Sequence, residues 1–369
     1  MAIANPGAKI IGIDLSEQSI DLAQKRLQYH QIENAEFHVL AIEDLPKLGL
    51  QFDYINCDEV LYLFPSIANA LRAMKSVLTP RGIIRGNLHS ALQRAGHFRA
   101  QQLFSLMGLM DSNPEDLEIE IAIDTMRALK DDVDVKRRTY HSNYEGKDKK
   151  QIVLMNYLFQ GDKGYTIPEM FAALREAGLD FISMVNWRKW ELLDLFKDSN
   201  DLPAFWAMSL PELSVEDRLR VFELIQPIHR LLDFWCTTPD ATSPVTPLTE
   251  WTDADWEKAT IYLHPVLQTE RFKEGLLEAI TDLSPFNIGR YLPNTAGTSI
   301  ELEIVRTAAC LLPLWDGGQR IHTLVERYCQ LRPCNLITLK ATTRDEAFAQ
   351  VREFLTHLEV FMYVLVAKD

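Results

Sequence analysis

The sequence predicts an α/β fold over its first half, a parallel sheet with helices on both faces, followed by a mainly α-helical second half. Two observations carry this reading. Up to about residue 195, short apolar runs alternate with segments whose apolar residues recur at helical spacing. After about Asp198 that alternation stops and capped helices follow. With 369 residues, the chain is long enough for two domains that each bury a core.

The elements are taken in order. Lys9–Leu15 reads as a buried strand, and Ser16 caps a helix that turns Ile20, Ala23 and Leu27 inward. Phe37–Ile42 and Phe52–Cys57 are the next strands. Ser66 opens a helix carrying Ile67, Leu71, Met74 and Leu78, which Thr79–Gly82 stops, and Ile83–Leu88 is a further strand. Residues from about 90 to 130 form a helical insertion, and the charged stretch Lys130–Lys150 reads as loop-like. Gln151–Phe159 and Asp180–Trp187 look like two strands. The helix between them has a Thr166/Glu169 capping box, Pro168 in its first turn and Gly178 at its end. That short link allows the last two strands to pair antiparallel. Ser214 and Asp217 then cap a helix running to roughly Trp235. Thr237–Glu250, rich in Thr, Pro, Ser and Asp, is the best linker candidate. Thr252/Asp255 and Thr298/Glu301 mark further helix starts. Asp316–Gly318 is a tight turn before a helix over Ile321–Cys329, and Thr342–Val366 is a long closing helix. The expected domains are 1–195 and 196–369.

Composition narrows the function classes. The 47% hydrophobic and 24% charged content is that of an ordinary soluble globular protein. A net charge of -14 argues against a general nucleic-acid binder, which needs a basic surface. No apolar stretch is long enough to span a bilayer, and Met1–Pro6 lacks the pattern of a secretory signal. Five scattered cysteines suit a reducing cytoplasm, and no His/Cys cluster has metal-ligand spacing.

Four segments carry chemistry. Ile10–Ser16 is an apolar run ending in Asp14, and a carboxylate at such a strand end accepts hydrogen bonds from ribose hydroxyls in nucleotide-binding α/β folds. Asp14 also reads as a cap of the following helix. The others are Ala41–Pro46, Phe52–Leu61 and Leu78–Ile84. In order and spacing the four together resemble the Rossmann-like class I S-adenosylmethionine-dependent methyltransferases, over residues 1 to about 195.

The resemblance implies S-adenosylmethionine as methyl donor and a function for each segment. Asp14, with Leu15 beside it, would hold the donor ribose. Ile42 would pack on adenine while Glu43 or Asp44 accepts from its amino group, although both carboxylates also fit a solvated turn. Asn56 and Cys57 would face the donor methionine. Asp58, at the mouth of its strand, would orient the acceptor or act as general base, or simply start a helix. His97 and Arg99 in the insertion, with Tyr140 and His141 after it, are the substrate candidates, set against ordinary surface or core residues. Methyl transfer needs alignment of two partners and no metal.

The sequence departs from the family pattern in two places. Ala41 stands where the family often has an Asp. The family's first strand and glycine-rich loop would come before Met1, so the sheet is expected to lack its first strand and to expose an unpaired edge. A chain that begins inside a longer protein is favoured over one that lost this element. The second half weakly resembles a regulatory domain of some of these enzymes, with Leu311–Gly318 similar to a winged-helix-like segment, and a packing or partner-binding module is the default for it. The function expected is methyl transfer to an unidentified small-molecule or protein acceptor. A non-catalytic interaction protein on the same scaffold and an NAD(P)-dependent oxidoreductase are the alternatives.

Overall fold

In the computed structural model, β1 (Ile10–Asp14) and β2 (Ala35–Val39) pair in parallel, joined by α1 (Glu17–Tyr29). Ser16 starts α1 by accepting the backbone N–H of Ser19 at 3.2 Å. Description covers all residues except 3–4, 6, 198–201, 242–247, 292–300, 335–338 and 369. The second strand ends at Val39, short of the expected Ile42, because Ile42 opens a 3₁₀ helix to Leu48.

β3 (Phe52–Cys57) lies parallel to the thirteen-residue β4 (Leu78–Ser90), with α2 (Ile67–Ser76) as the crossover. Thr79–Gly82 does not delay this strand as expected. A register shift against β3 absorbs Pro80, which has no N–H to give to the ladder. Next to β4 stands β7 (Leu231–Thr237), antiparallel to it, and outermost β6 (Asp180–Met184), antiparallel to β7. The sheet order is therefore β3-β4-β7-β6, and β5 (Gly164–Tyr165) adds a short parallel pairing to the end of β4. The expected unpaired edge is present: among the described residues β1 pairs only with β2, and β3 only with β4. Ile13 of β1 and Ile55 of β3 pack on one core with Leu71, Ile84, Leu174 and Phe234.

Three sequence expectations are corrected here. Gln151–Phe159 is not a strand: its first part belongs to α6 (Lys149–Asn156), whose Val153, with Tyr157 beyond it, faces a small helical core. That core is closed by α3 (Ala95–Leu106) and α4 (Asp116–Ala128), the expected insertion. The charged stretch after it is folded too: α5 (Asp134–Thr139) is held by Asp134, which pairs with Arg99, Arg137 and Arg138. The helix capped by Ser214, α9 (Val215–Ile225), stops ten residues before Trp235, because Leu231–Thr237 is needed as the strand between β4 and β6. Between α7 (Ile167–Ala177), which has the expected capping box and Gly178 at φ +68°, and α9 lies the short α8 (Ala204–Ser209).

With β7 in the first sheet, the boundary moves from 195/196 to Ser243/Pro244, and the chain divides into Met1–Ser243 and Pro244–Asp369. The second unit is mainly helical around its own core of Leu276, Cys310, Leu314, Leu324, Val351 and Leu355. Its elements are α10 (Asp253–Glu257), β8 (Ala259–Leu263), α11 (Glu270–Thr281), β9 (Phe286–Asn287) and β10 (Glu301–Leu302). There follow α12 (Ile304–Leu314), β11 (Gln319–Arg320), α13 (Ile321–Leu331), α14 (Arg344–Val360) and β12 (Val364–Lys368). Thr252 and Asp255 form the expected capping box. Thr298 lies outside the described residues. Its expected partner Glu301 sits in β10, and Glu303 caps α12 instead. The closing helix ends at Val360, since Val364–Lys368 turns back antiparallel to β8. Among the described residues no helix is long and apolar enough to cross a membrane.

Candidate functional site

In parallel α/β sheets, ligands bind at the carboxyl ends of the strands. Here those ends carry Asp14 on β1, Asp58 and Glu59 after β3, and Asn87 and His89 on β4. Asp14 is exposed. Its Oδ1 accepts the N–H of Ser16 at 2.7 Å, so it does cap locally, and one carboxylate oxygen remains for a ligand. Leu15 beside it is largely exposed. Ile42 packs its inner side on the main core, while Glu43 is exposed. Asp44 is engaged with Lys47 at 2.8 Å, which leaves Glu43 the freer carboxylate of that turn.

The end of β3 is tied to its neighbour by side chains. Asn87 donates from Nδ2 to Asp58 Oδ1 at 2.5 Å and accepts the N–H of Glu59 on Oδ1 at 2.9 Å. These bonds hold Glu59 in the left-handed region at φ +58°, which is uncommon for a non-glycine residue. Arg85 also reaches Asp58 at 3.5 Å, while its guanidinium forks onto Asp233 at 3.0 and 2.7 Å. Asn56 accepts from Arg85 Nη1 and from the Tyr54 hydroxyl. Cys57 is buried, and burial with the nearby charge of Asp58 pushes its thiol up to about 12, so it stays protonated.

One step further along β4 lies a cluster absent from the sequence reading. His89 is buried, with Nδ1 2.6 Å from Asp162 Oδ1 and Nε2 3.1 Å from Nη1 of Arg230. Tyr62 stacks on the imidazole at 3.7 Å. Asp162, whose side chain is fully buried, accepts on Oδ2 from Arg94 at 3.0 Å and Gln101 at 2.9 Å. Burial opposes its charge, but the hydrogen bonds of His89 and Gln101 outweigh that and hold it below the usual carboxylate range. Burial, followed by the charges of Arg94 and Arg230, holds His89 below its ordinary value against the pull of Asp162, so the ring is neutral near pH 7. Its tautomer follows from its partners: a carboxylate can only accept, so Nδ1 carries the proton, and a guanidinium can only donate, so Nε2 presents its lone pair. Arg230 also pairs with both oxygens of Glu59, and Tyr62 donates to Glu59 at 3.0 Å. The burial of Glu59 favours its neutral form, yet Arg230 and Tyr62 prevail and keep it ionised.

The substrate candidates separate. His97 and Arg99 line one cavity of about 430 Å³ with Gln93, Asp134 and Arg138. Tyr140 instead donates to Glu145 and stacks on Tyr144, and the exposed His141 reaches His97 through its charge. A second cavity of about 540 Å³ borders Phe98, Gln101, Phe159, Asp162 and Tyr165. The residues missed by the sequence reading are Glu59, Tyr62, Asn87, His89, Asp162 and Arg230. The available signal was Leu88-His89-Ser90, a histidine at the end of an apolar strand. Asp162 and Arg230 lie 73 and 141 residues from His89 and gave none.

Residues 1–101 match the family described as "Methyltransferase domain". Among curated relatives, the protein syc1184_c of Synechococcus sp. is 25% identical over 258 residues, 69% of this chain and 59% of its own length. Ubiquinone biosynthesis O-methyltransferase of Acinetobacter baylyi is 27% identical over 82 residues, 22% of this chain and 34% of its own. The chain thus spans well under two thirds of either relative. Among solved structures, PKMT2 from Rickettsia typhi in complex with AdoHcy superposes with a TM-score of 0.63 at 15% identity, covering 100% of this chain and 68% of that one. That likeness shows a shared fold.

Proposed function

From the match of residues 1–101 to the methyltransferase-domain family and the fold shared with PKMT2, we propose that this chain is a class I S-adenosylmethionine-dependent methyltransferase that binds S-adenosylmethionine and transfers its methyl group to a still unidentified acceptor. The observation that carries this reading is the matched segment 1–101, whose carboxylates stand at the ligand-binding ends of β1 and β3. Bound there, the donor supplies an electrophilic methyl on a sulfonium sulfur. The residues fit such a group: Asp14 offers an exposed carboxylate to ribose hydroxyls, and Ile42 with Glu43 offers an apolar surface beside an acceptor for an adenine amino group. Asn56 and Cys57, at the carboxyl end of β3, are our candidates for contacts to the donor methionine. With Asn87 and Arg85 both on its carboxylate, Asp58 is held in a fixed position suited to orienting an acceptor. His97 and Arg99 are our candidates for contacts to the acceptor, and the second unit for a partner-binding module. The five free cysteines support the cytoplasm as its compartment.

Calorimetric titration tests this reading with two ligands, S-adenosylhomocysteine and NAD. The expected result is binding of the first alone, weakened roughly 10-fold or more in Asp14→Ala, the loss of a charged hydrogen-bond acceptor being worth about 1.5–3 kcal/mol. Preference for NAD would overturn the methyltransferase reading. Equal affinity of the variant would remove Asp14 from the site.

A further inference from the structure

We propose that His89 and Asp162 are the proton-accepting pair for the methyl acceptor, kept closed by the Arg230–Glu59 ion pair at the Nε2 edge of the imidazole. This rests on the methyltransferase reading and adds to it a base that none of the matched segments requires.

The geometry is that of a positioned base. Nδ1–H is anchored on a carboxylate with no exposed surface, which is fixed in turn by Arg94 and Gln101. Tyr62, stacked on the ring, fixes its plane. Nε2 points the other way, to the strand ends where Asp58 and Glu59 stand. A carboxylate behind a neutral imidazole stabilises the imidazolium that forms when Nε2 takes a proton. The titratable and charged groups around the ring are Asp162, Arg94, Glu59, Arg230 and His97, with the Tyr62 ring stacked on it, and among the described residues only the Arg230 guanidinium occupies the Nε2 lone pair. Its backbone carbonyl is pinned by Ser90 N at 2.9 Å, but its side chain is half exposed, so rotation of that side chain uncovers Nε2 without moving β7.

In the step proposed, the acceptor heteroatom forms a bond to the methyl carbon as the carbon–sulfur bond breaks, and the bonding pair stays on sulfur. The proton of the heteroatom passes to Nε2, and the imidazolium later returns it to water. Asp162 is a positioning residue that acts through the ring.

Three measurements on the whole chain test this. In ¹⁵N-histidine spectra, His89 is expected to be neutral at pH 7 with its proton on Nδ1, and a proton on Nε2 would overturn the proposal. Asp162→Asn should lower the His89 titration midpoint by about one unit or more, since a facing carboxylate raises it by that order; an unchanged midpoint would make Asp162 merely structural and count against the pair. Diethyl pyrocarbonate should modify His89 at least roughly 10-fold faster in Arg230→Ala than in the wild type, with Arg230→Lys remaining slow. Continued protection in Arg230→Ala would sink the clasp. S-adenosylhomocysteine titration of the same proteins separates the two readings. Absence of donor binding in every form, the wild type included, fails the methyltransferase reading and with it the role proposed for the pair, whereas normal donor binding with the wrong tautomer fails this proposal alone.

Discussion

At the scale of single residues, the cost of burying titratable groups sets how this protein responds to acid. His97 is pushed down to about 4, first by burial and then by the charges of Arg94 and His141. Between the ordinary imidazole value near 6.5 and about 4, the unfolded chain binds a proton at this position and the native one does not. Stability is therefore expected to fall as pH drops through that window and to level off below it. His97→Gln removes the titration, so its stability should depend less on pH there, by up to about 1 kcal/mol per pH unit after allowance for its partial exposure. Urea midpoints measured from pH 7 to 4 check this, and parallel curves for the two proteins would refute it. The candidate site was legible only where chemistry follows strand order. Asp14 and Asp58 could be found because each ends an apolar run. His89 could not be told from a core histidine, since its meaning depends on Asp162 and Arg230, which local pattern does not connect to it.

At the scale of elements, what the sequence made plain was whatever has its own caps and period. α1, α2, α7 and α9 start at residues that accept their orphan N–H groups, and β1 and β3 are short apolar runs between turns. Errors fell where an apolar run is compatible with either period. Leu231–Thr237 follows a helix closely, and its buried positions alternate only once β4 and β6 flank it. Ile152–Leu154 is β-prone by composition, but Val153 and Tyr157, four residues apart, share the buried face of a helical core. The closing helix ends earlier than its apolar pattern implies for a similar reason: Val364 and Val366 continue the apolar content of α14, while only tertiary pairing to β8 makes them strand. Since β7 links the parallel part of the sheet to its outermost strand, its packing is expected to be costly to disturb. Phe234 is fully buried between its neighbours, and Phe234→Ala should destabilise the first unit by about 3–5 kcal/mol. A drop of under about 1 kcal/mol in chemical denaturation would show that this strand is less integral than its position implies.

At the scale of the whole molecule, the relevant fact is that hydrophobic burial occurs in two closed sets. Among the described residues, the buried members of the first unit's cores run up to Cys236 and those of the second unit's core start at Trp256, so the two sets share none. Leu248, at the end of the Pro- and Thr-rich tract that contains the division at Ser243/Pro244, packs on the second core. Cooperativity in unfolding comes from shared packing, and two cores without common members should lose it separately. Calorimetry of the intact chain is therefore expected to resolve two transitions. Substitutions assign them. Phe234→Ala should lower one midpoint and leave the other in place. Leu324→Ala, which empties a fully buried position in α13, should act on the second alone, at a cost of about 2–5 kcal/mol. A difference of that size is several degrees in a unit of this length, well within measurement. Ligand linkage adds an independent check, because saturating S-adenosylhomocysteine should raise only the transition that Phe234→Ala lowers. A single transition moved equally by both substitutions would mean that the units fold as one, and the separate cores would then have to be coupled by contacts outside them.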